Sequence, residues 1–176
     1  MSTEQEKTLE VLQLAIQMEI DGKEYYQKAS ELSSSQLGKE LFQSLAAEED
    51  IHRQKFEQIY DAISSQQAWP KSDFSPVYGE ILKTMFAAAI QEMGPNVKPE
   101  ATELQAVQTA IDMEQKSYDL YQGQIKNATY DAERAFYEAL AAQERGHQLI
   151  LVDYQEYLAD PTGWFTRTEH HSLDGG

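Results

Sequence analysis

Cysteine is absent from the 176-residue chain. That removes disulfides, thiolate zinc sites and iron–sulfur clusters from consideration, and it suits a reducing compartment. Basic residues are few: 14 Lys and Arg against 30 Asp and Glu leave a formal charge of -16. Nucleic acid and anionic membrane are thereby disfavoured as partners, because their phosphates would be repelled. No apolar run approaches a membrane span, and the first residues lack an apolar stretch of signal-peptide type, so a cytoplasmic protein is expected. Strand-like alternation is nearly missing, as are a Gly-rich phosphate loop, a Ser/His/Asp arrangement and a basic stripe. Most of the acidic side chains read as a solubilising surface that also gathers cations. Only carboxylates on an apolar face need another explanation.

What is present is helical periodicity, with 41% hydrophobic residues in a chain long enough for one domain. The pattern predicts a helix over 3–32, a turn at Ser33-Ser34-Ser35 with N-cap candidates, and a helix over 36–64. A polar stretch follows, and Ser75-Pro76 opens a shorter helix that ends at Gly94-Pro95. A third long helix runs from 99 to a break near Asn127, and a fourth from 130 to 158. The chain also repeats itself at an offset of 95, pairing Ala15-Ile16 with Ala110-Ile111, Met18-Glu19 with Met113-Glu114, Tyr26 with Tyr121, and Leu45-Ala46-Ala47 with Leu140-Ala141-Ala142. Residues 1–160 are therefore expected to form an all-α four-helix bundle. It consists of two repeated hairpins, 3–65 and 99–159, joined by a crossover at 66–98 that contains the short helix. A connection of that length spans the bundle, so the second and third long helices should run parallel. Residues 161–176 read as an irregular tail.

The repeat carries chemistry. Glu19 is followed thirty residues later by Glu49-x-x-His52, and Glu114 by Glu144-x-x-His147. In the second helix, Phe42, Leu45, Glu49, His52, Phe56, Ile59 and Ile63 recur at steps of three and four, and so do Tyr137, Leu140, Glu144, His147, Leu151, Tyr154 and Leu158 in the fourth. These are core-facing seams, with Glu and His where Leu or Phe would be ordinary. Glu19 likewise extends Leu9, Leu12 and Ile16, and Glu114 extends Leu104, Val107 and Ile111. Each Glu stands fifteen residues from its own hairpin turn, roughly 20 Å at about 1.5 Å per residue, so all four can share one layer. Four buried carboxylates repel one another and lose hydration, so protons or cations must neutralise them. Two divalent ions, with one neutral His each, balance the charge. Such a ligand set is known in di-iron and di-manganese carboxylate bundles, and mixed oxygen and imidazole donors suit iron or manganese better than copper or magnesium.

On these six residues the chain resembles the ferritin-like superfamily and, within it, the rubrerythrin family, over roughly residues 5–158. The resemblance implies that Glu19 and Glu114 are terminal ligands, that Glu49 and Glu144 bridge, and that His52 and His147 bind the ions shared with Glu19 and Glu114 respectively. It also implies a hydrogen bond from Tyr26 and Tyr121 to ligand carboxylates, with plain core packing as the alternative. Two departures stand out. The further Glu usual three residues after the third-helix ligand is Ser117 here, with Gly22 as its repeat mate, which points to a more symmetric centre. The cysteine-bearing rubredoxin module is missing, so electrons must come from an external donor or from ferrous iron itself. Glu48 points off the seam and reads as solvated or as a rim residue. His170-His171 read as unstructured or as an adventitious metal site, and Tyr25, Tyr118 and Met18 as packing residues.

The implied activity is that of a non-haem di-iron oxidoreductase reducing peroxide or dioxygen. It would be a peroxidase or ferroxidase with two iron ions as cofactor (manganese or a mixed pair being the other options) and a role in oxidative stress. A ferritin-type iron-storage protein without peroxidase turnover is the second expectation. A homodimer is expected as well, since bundles this apolar often bury an outer face.

Overall fold

A computed structural model describes residues 4–71, 77–98 and 100–173, the segments 77–81 and 169–173 by their backbone alone. Six helices follow one another: α1 (Glu4–Leu32), α2 (Gln36–Ser64), α3 (Val77–Met93), α4 (Ala101–Asn127), α5 (Asp131–Ala159) and α6 (Pro161–Leu173). No strand occurs among the described residues. None of the described helices is long and apolar enough to cross a membrane. The predicted opening of the short helix at Ser75-Pro76 lies outside the described residues.

Helices α1 and α2 pack densely as one hairpin, and α4 and α5 as another. Gln5 Nε2 donates to Ile63 O at 2.7 Å and Lys23 meets Asp50 at 2.8 Å, which sets α1 antiparallel to α2. Between hairpins, Ser33 reaches Glu103, Tyr25 reaches the Ala106 carbonyl, and Tyr121 reaches Glu19. Rising numbers on α1 thus meet falling numbers on α4, so those two helices are antiparallel as well. It follows that α2 and α4 run parallel, and α3 carries the chain back along the bundle. It does so by burying Leu82, Phe86 and Ile90 beside Leu37, Leu41 and Tyr154, with α2 and α5 as its supports.

The two hairpin turns are closed differently. Ser35 caps α2 by accepting from the Gly38 N–H at 2.9 Å. Beside it Glu103, from the first turn of α4 and only 5% exposed, accepts from Ser33 Oγ (2.6 Å), Ser34 N–H (3.2 Å) and the Tyr154 hydroxyl (2.9 Å). A Cβ at position 38 would run into those same polar groups, so glycine there makes the clasp feasible.

One expectation needs correction: the tail is not irregular, since Pro161–Leu173 form α6. Asp160 Oδ1 accepts from the Gly163 N–H at 3.0 Å, as a helix N-cap does, and proline occupies the first helical position. Trp164 then docks on Tyr157 with ring centres 5.8 Å apart and donates to Asp153 at 2.8 Å, which anchors α6 to α5.

The apolar core is divided. One cluster, with Phe42, Leu45, Phe86 and Leu151, fills the half near the first turn. Another, with Leu12, Phe56, Tyr121, Phe136 and Leu140, fills the opposite half. A polar layer separates them.

Candidate metal centre

That layer consists of the six repeated residues. Helix α1 buries Leu12, Ala15, Glu19, Gly22, Tyr26 and Ala29, and α4 buries Glu103, Val107, Ala110, Glu114 and Tyr121. The stripes on α2 and α5 bury every position expected of them. Leu9, Ile16, Leu104 and Ile111 are only half-buried, so the inner stripe of the first and third long helices keeps Leu12, Glu19, Val107 and Glu114 of the expected one and moves one position aside at Ala15, Glu103 and Ala110. The six Glu and His side chains are 0% to 4% exposed.

Their donor atoms converge in two overlapping groups: Glu19, Glu49, His52 and Glu144, and Glu49, Glu114, Glu144 and His147, each with its donor atoms within 4.8 Å of one another. Glu49 and Glu144 belong to both. His52 groups with Glu19 and His147 with Glu114, and the two rings stack nearly parallel with centres 5.8 Å apart.

Each terminal carboxylate is held by a tyrosine from the other hairpin. Tyr26 on α1 donates to Glu114 Oε1 on α4, and Tyr121 on α4 donates to Glu19 Oε1 on α1. Both tyrosines are about 1% exposed or less. One oxygen of each carboxylate is thereby tied outward and the other turned inward. Sequence spacing placed these tyrosines beside the ligands; their crossing from hairpin to hairpin is a tertiary fact.

Behind each imidazole stands a polar partner. His52 Nε2 lies 2.7 Å from Gln143 Oε1, and His147 Nε2 lies 2.6 Å from Glu48 Oε2. These acceptors keep a proton on Nε2 and leave Nδ1 facing the carboxylates. His52 Nδ1 is then 3.1 Å from Glu144 and 3.2 Å from Glu19, and His147 Nδ1 is 3.5 Å from both Glu49 and Glu114. Glu48 is accordingly not a solvated rim residue: at 8% exposure its carboxylate is buried against His147. Gln143 escaped the sequence analysis altogether. The signal that reveals it is the repeat itself, since 48 and 143 are mates at the same offset of 95 and both precede a ligand Glu.

Without a cation the layer is electrostatically strained. Burial and then the neighbouring carboxylates push Glu49 and Glu144 well above the ordinary carboxylate range. Burial raises Glu114 too, but His147 outweighs it and brings the group below its usual value. Burial disfavours the charged form of both imidazoles, yet Glu19 drives His52 up to about 9 and Glu114 drives His147 well up. Burial and the adjacent carboxylates raise Tyr26 and Tyr121 well beyond the normal phenol, so both remain donors. Among the described residues, Glu49 Oε1, Glu114 Oε2, both Glu144 oxygens and His147 Nδ1 are buried without a hydrogen-bond partner. Carboxylates crowded in a dry layer need protons or cations between them, and donor atoms aimed at common points can take metal ions in the protons' place. The residues present therefore fit two divalent metal ions.

Gly22, the repeat mate of Ser117, has a steric role. A Cβ at Gly22 would stand 3.0 Å from Glu49 Oε2, so glycine leaves room for that carboxylate. Tyr25 is half-buried and donates to the Ala106 carbonyl at 2.7 Å; Tyr118 and Met18 are half-buried too. The side chains of His170 and His171 lie outside the described residues.

A family model described as Rubrerythrin matches residues 10–154. No curated protein and no solved structure matches the chain.

Proposed function

The chain belongs to the rubrerythrin family, and on that premise we propose that its buried carboxylate–histidine layer is a di-iron centre at which peroxide or dioxygen is reduced. The observation that carries this is the pair of overlapping donor groups sharing Glu49 and Glu144. Two ferrous ions, when bound, supply one electron each to the oxidant and act as Lewis acids. Reduction of peroxide to water takes two electrons and two protons, which matches the electron count of one ion pair.

The chain's own side chains do the rest. Glu49 and Glu144 reach both positions and so keep the pair together. Tyr26 and Tyr121 stay protonated, pin one oxygen of Glu114 and Glu19, and fix which oxygen faces inward. Gln143 and Glu48 orient the imidazoles with Nδ1 toward the centre. Phe42 and Leu45 on one side and Phe56 and Leu140 on the other exclude water from the layer.

Peroxide is preferred over dioxygen on family membership alone. An external electron donor belongs to the same proposal, since the chain has no cysteine with which to build a one-electron carrier, and a homodimeric assembly is proposed with it. The test is metal analysis of the purified protein, followed by anaerobic Fe(II) loading and stopped-flow mixing with peroxide and, separately, with oxygen. Two irons per chain and faster oxidation by peroxide are expected. Ferrous protein inert to both oxidants would end the proposal, and faster oxidation by oxygen would turn it toward a ferroxidase.

A further inference from the structure

The six ligands and their two tyrosines match one for one across the repeat, whereas the residues behind the histidines do not. Position 48 is Glu and its mate, position 143, is Gln. We infer that the two metal positions are inequivalent, and that Glu48 is the positioning residue that makes the His147 position the tighter of the two. The inference rests on the di-metal reading above.

Both imidazoles present Nδ1 to the carboxylates and turn Nε2 outward. Behind His52 the acceptor is a neutral amide oxygen at 2.7 Å; behind His147 it is a carboxylate oxygen at 2.6 Å. A hydrogen bond to an ionised acceptor is roughly twice as strong as a neutral one. It draws the Nε2 proton toward the carboxylate, leaving more electron density on Nδ1, and it holds the ring more firmly. Losing such a partner typically weakens metal binding 10–100-fold.

The charge count points the same way. Glu19, Glu49, Glu114 and Glu144 offset two divalent ions, with the shared pair Glu49 and Glu144 acting equally on both positions. Glu48 adds a further carboxylate, 8% exposed, with its Oε2 at 2.6 Å from His147 Nε2. No counterpart balances it at Gln143. A cation at the His147 position therefore sees a stronger ligand and a more negative surrounding than one at the His52 position.

Zinc tests this without turnover, because it is redox-inert. The metal-free full chain would be titrated with Zn(II) by calorimetry while the histidine ring nitrogens are followed by NMR. In the native protein two steps separated by about 10–100-fold are expected, with His147 Nδ1 shifting at the first equivalent and His52 Nδ1 at the second. Glu48→Gln should merge the steps by weakening the first, and Gln143→Glu should merge them by strengthening the second. The exchange Glu48→Gln with Gln143→Glu should restore two steps in reversed order. A residue of merely structural importance would lower both affinities together and could not reverse the order. Two zinc ions bound in the native protein with equal affinity, both rings shifting together, would overturn the inference and leave the di-metal reading standing. An unchanged separation in Glu48→Gln would overturn it too. Failure to bind zinc at all would sink both.

Discussion

At position 38 of the first hairpin stands Gly, and at its repeat mate in the second hairpin, position 133, stands Glu. Gly38 leaves space for a carboxylate from another helix: Glu103 of α4 enters the first turn and is held there by Ser33, Ser34 and Tyr154. Glu133 closes the second turn from within, accepting from Thr129 N–H at 2.9 Å, while Arg134 donates to the Ile125 and Ala128 carbonyls. The first turn is thus clasped by a buried carboxylate from another helix, the second exposed and locally capped. The apolar repeat mates differ as well, Phe42 corresponding to Tyr137, Phe56 to Leu151 and Ile59 to Tyr154. The six Glu and His residues of the layer and their two tyrosines repeat without substitution, as do a few of their neighbours. Packing tolerates exchange at constant volume, whereas a charge-balanced layer allows no replacement of a donor.

The comparison can be broken most severely at the shared ligands. Glu49→Ala and Glu144→Ala should each drop the iron content below two per chain by elemental analysis, while circular dichroism stays helical. Full occupancy in both variants would remove them as shared ligands, and a loss in only one would show that the halves are not functionally matched. Next come the turns. Glu103→Ala removes the carboxylate to which Ser33, Ser34 and Tyr154 donate and should cost about 3 kcal/mol in urea unfolding, since bonds to charged groups are worth about 1.5–3 kcal/mol each and Ser33 and Tyr154 keep their bonds to Ser35. Glu133→Ala removes an exposed cap and should cost only about 1 kcal/mol. Equal costs would erase the distinction drawn between the turns.

A smaller effect concerns the crossed tyrosines. Tyr26→Phe and Tyr121→Phe should each destabilise the metal-free chain by about 1.5 kcal/mol, because each removes one hydrogen bond to a buried carboxylate. The two should agree within about 0.5 kcal/mol if the hairpins support the layer equally. Unequal values would place the asymmetry in the tyrosines as well.

The gentlest probe is pH. Glu49 and Glu144 titrate above the carboxylate range and His52 near 9, so the folded metal-free chain keeps protons that the unfolded chain has released. Its melting temperature should fall as pH rises from about 5 through 9. Glu114, shifted the other way, acts only below the ordinary carboxylate value and leaves that window untouched. Metal binding displaces those protons, so the loaded protein should lose or reverse the slope. A metal-free melting temperature independent of pH would contradict the electrostatic picture of the layer.

Much of this was legible in advance. Helix α2 begins and ends where its periodicity and Ser35 cap predict, and the convergence of the six Glu and His side chains follows from Glu-x-x-His recurring on apolar seams. Other features were not. The assignment of Glu48 to solvent followed from its angle on an isolated helix, about 100° from Glu49. That angle is correct, but α5 lies on that flank and buries the carboxylate against His147. Nothing in the sequence pattern singles out Glu103, and the tail expected to be irregular forms α6 over Pro161–Leu173.

What the chain's own pattern determined is what depends on position along one helix: which residues share a face, at what height, and in what repeated chemistry. Neighbouring helices alone decided which carboxylate lies behind which imidazole, which tyrosine crosses to which glutamate, and where a surface acid becomes a buried clasp. Periodicity is a property of one rod, whereas burial and pairing depend on the distance between rods, and that distance is set only once the two hairpins pack together.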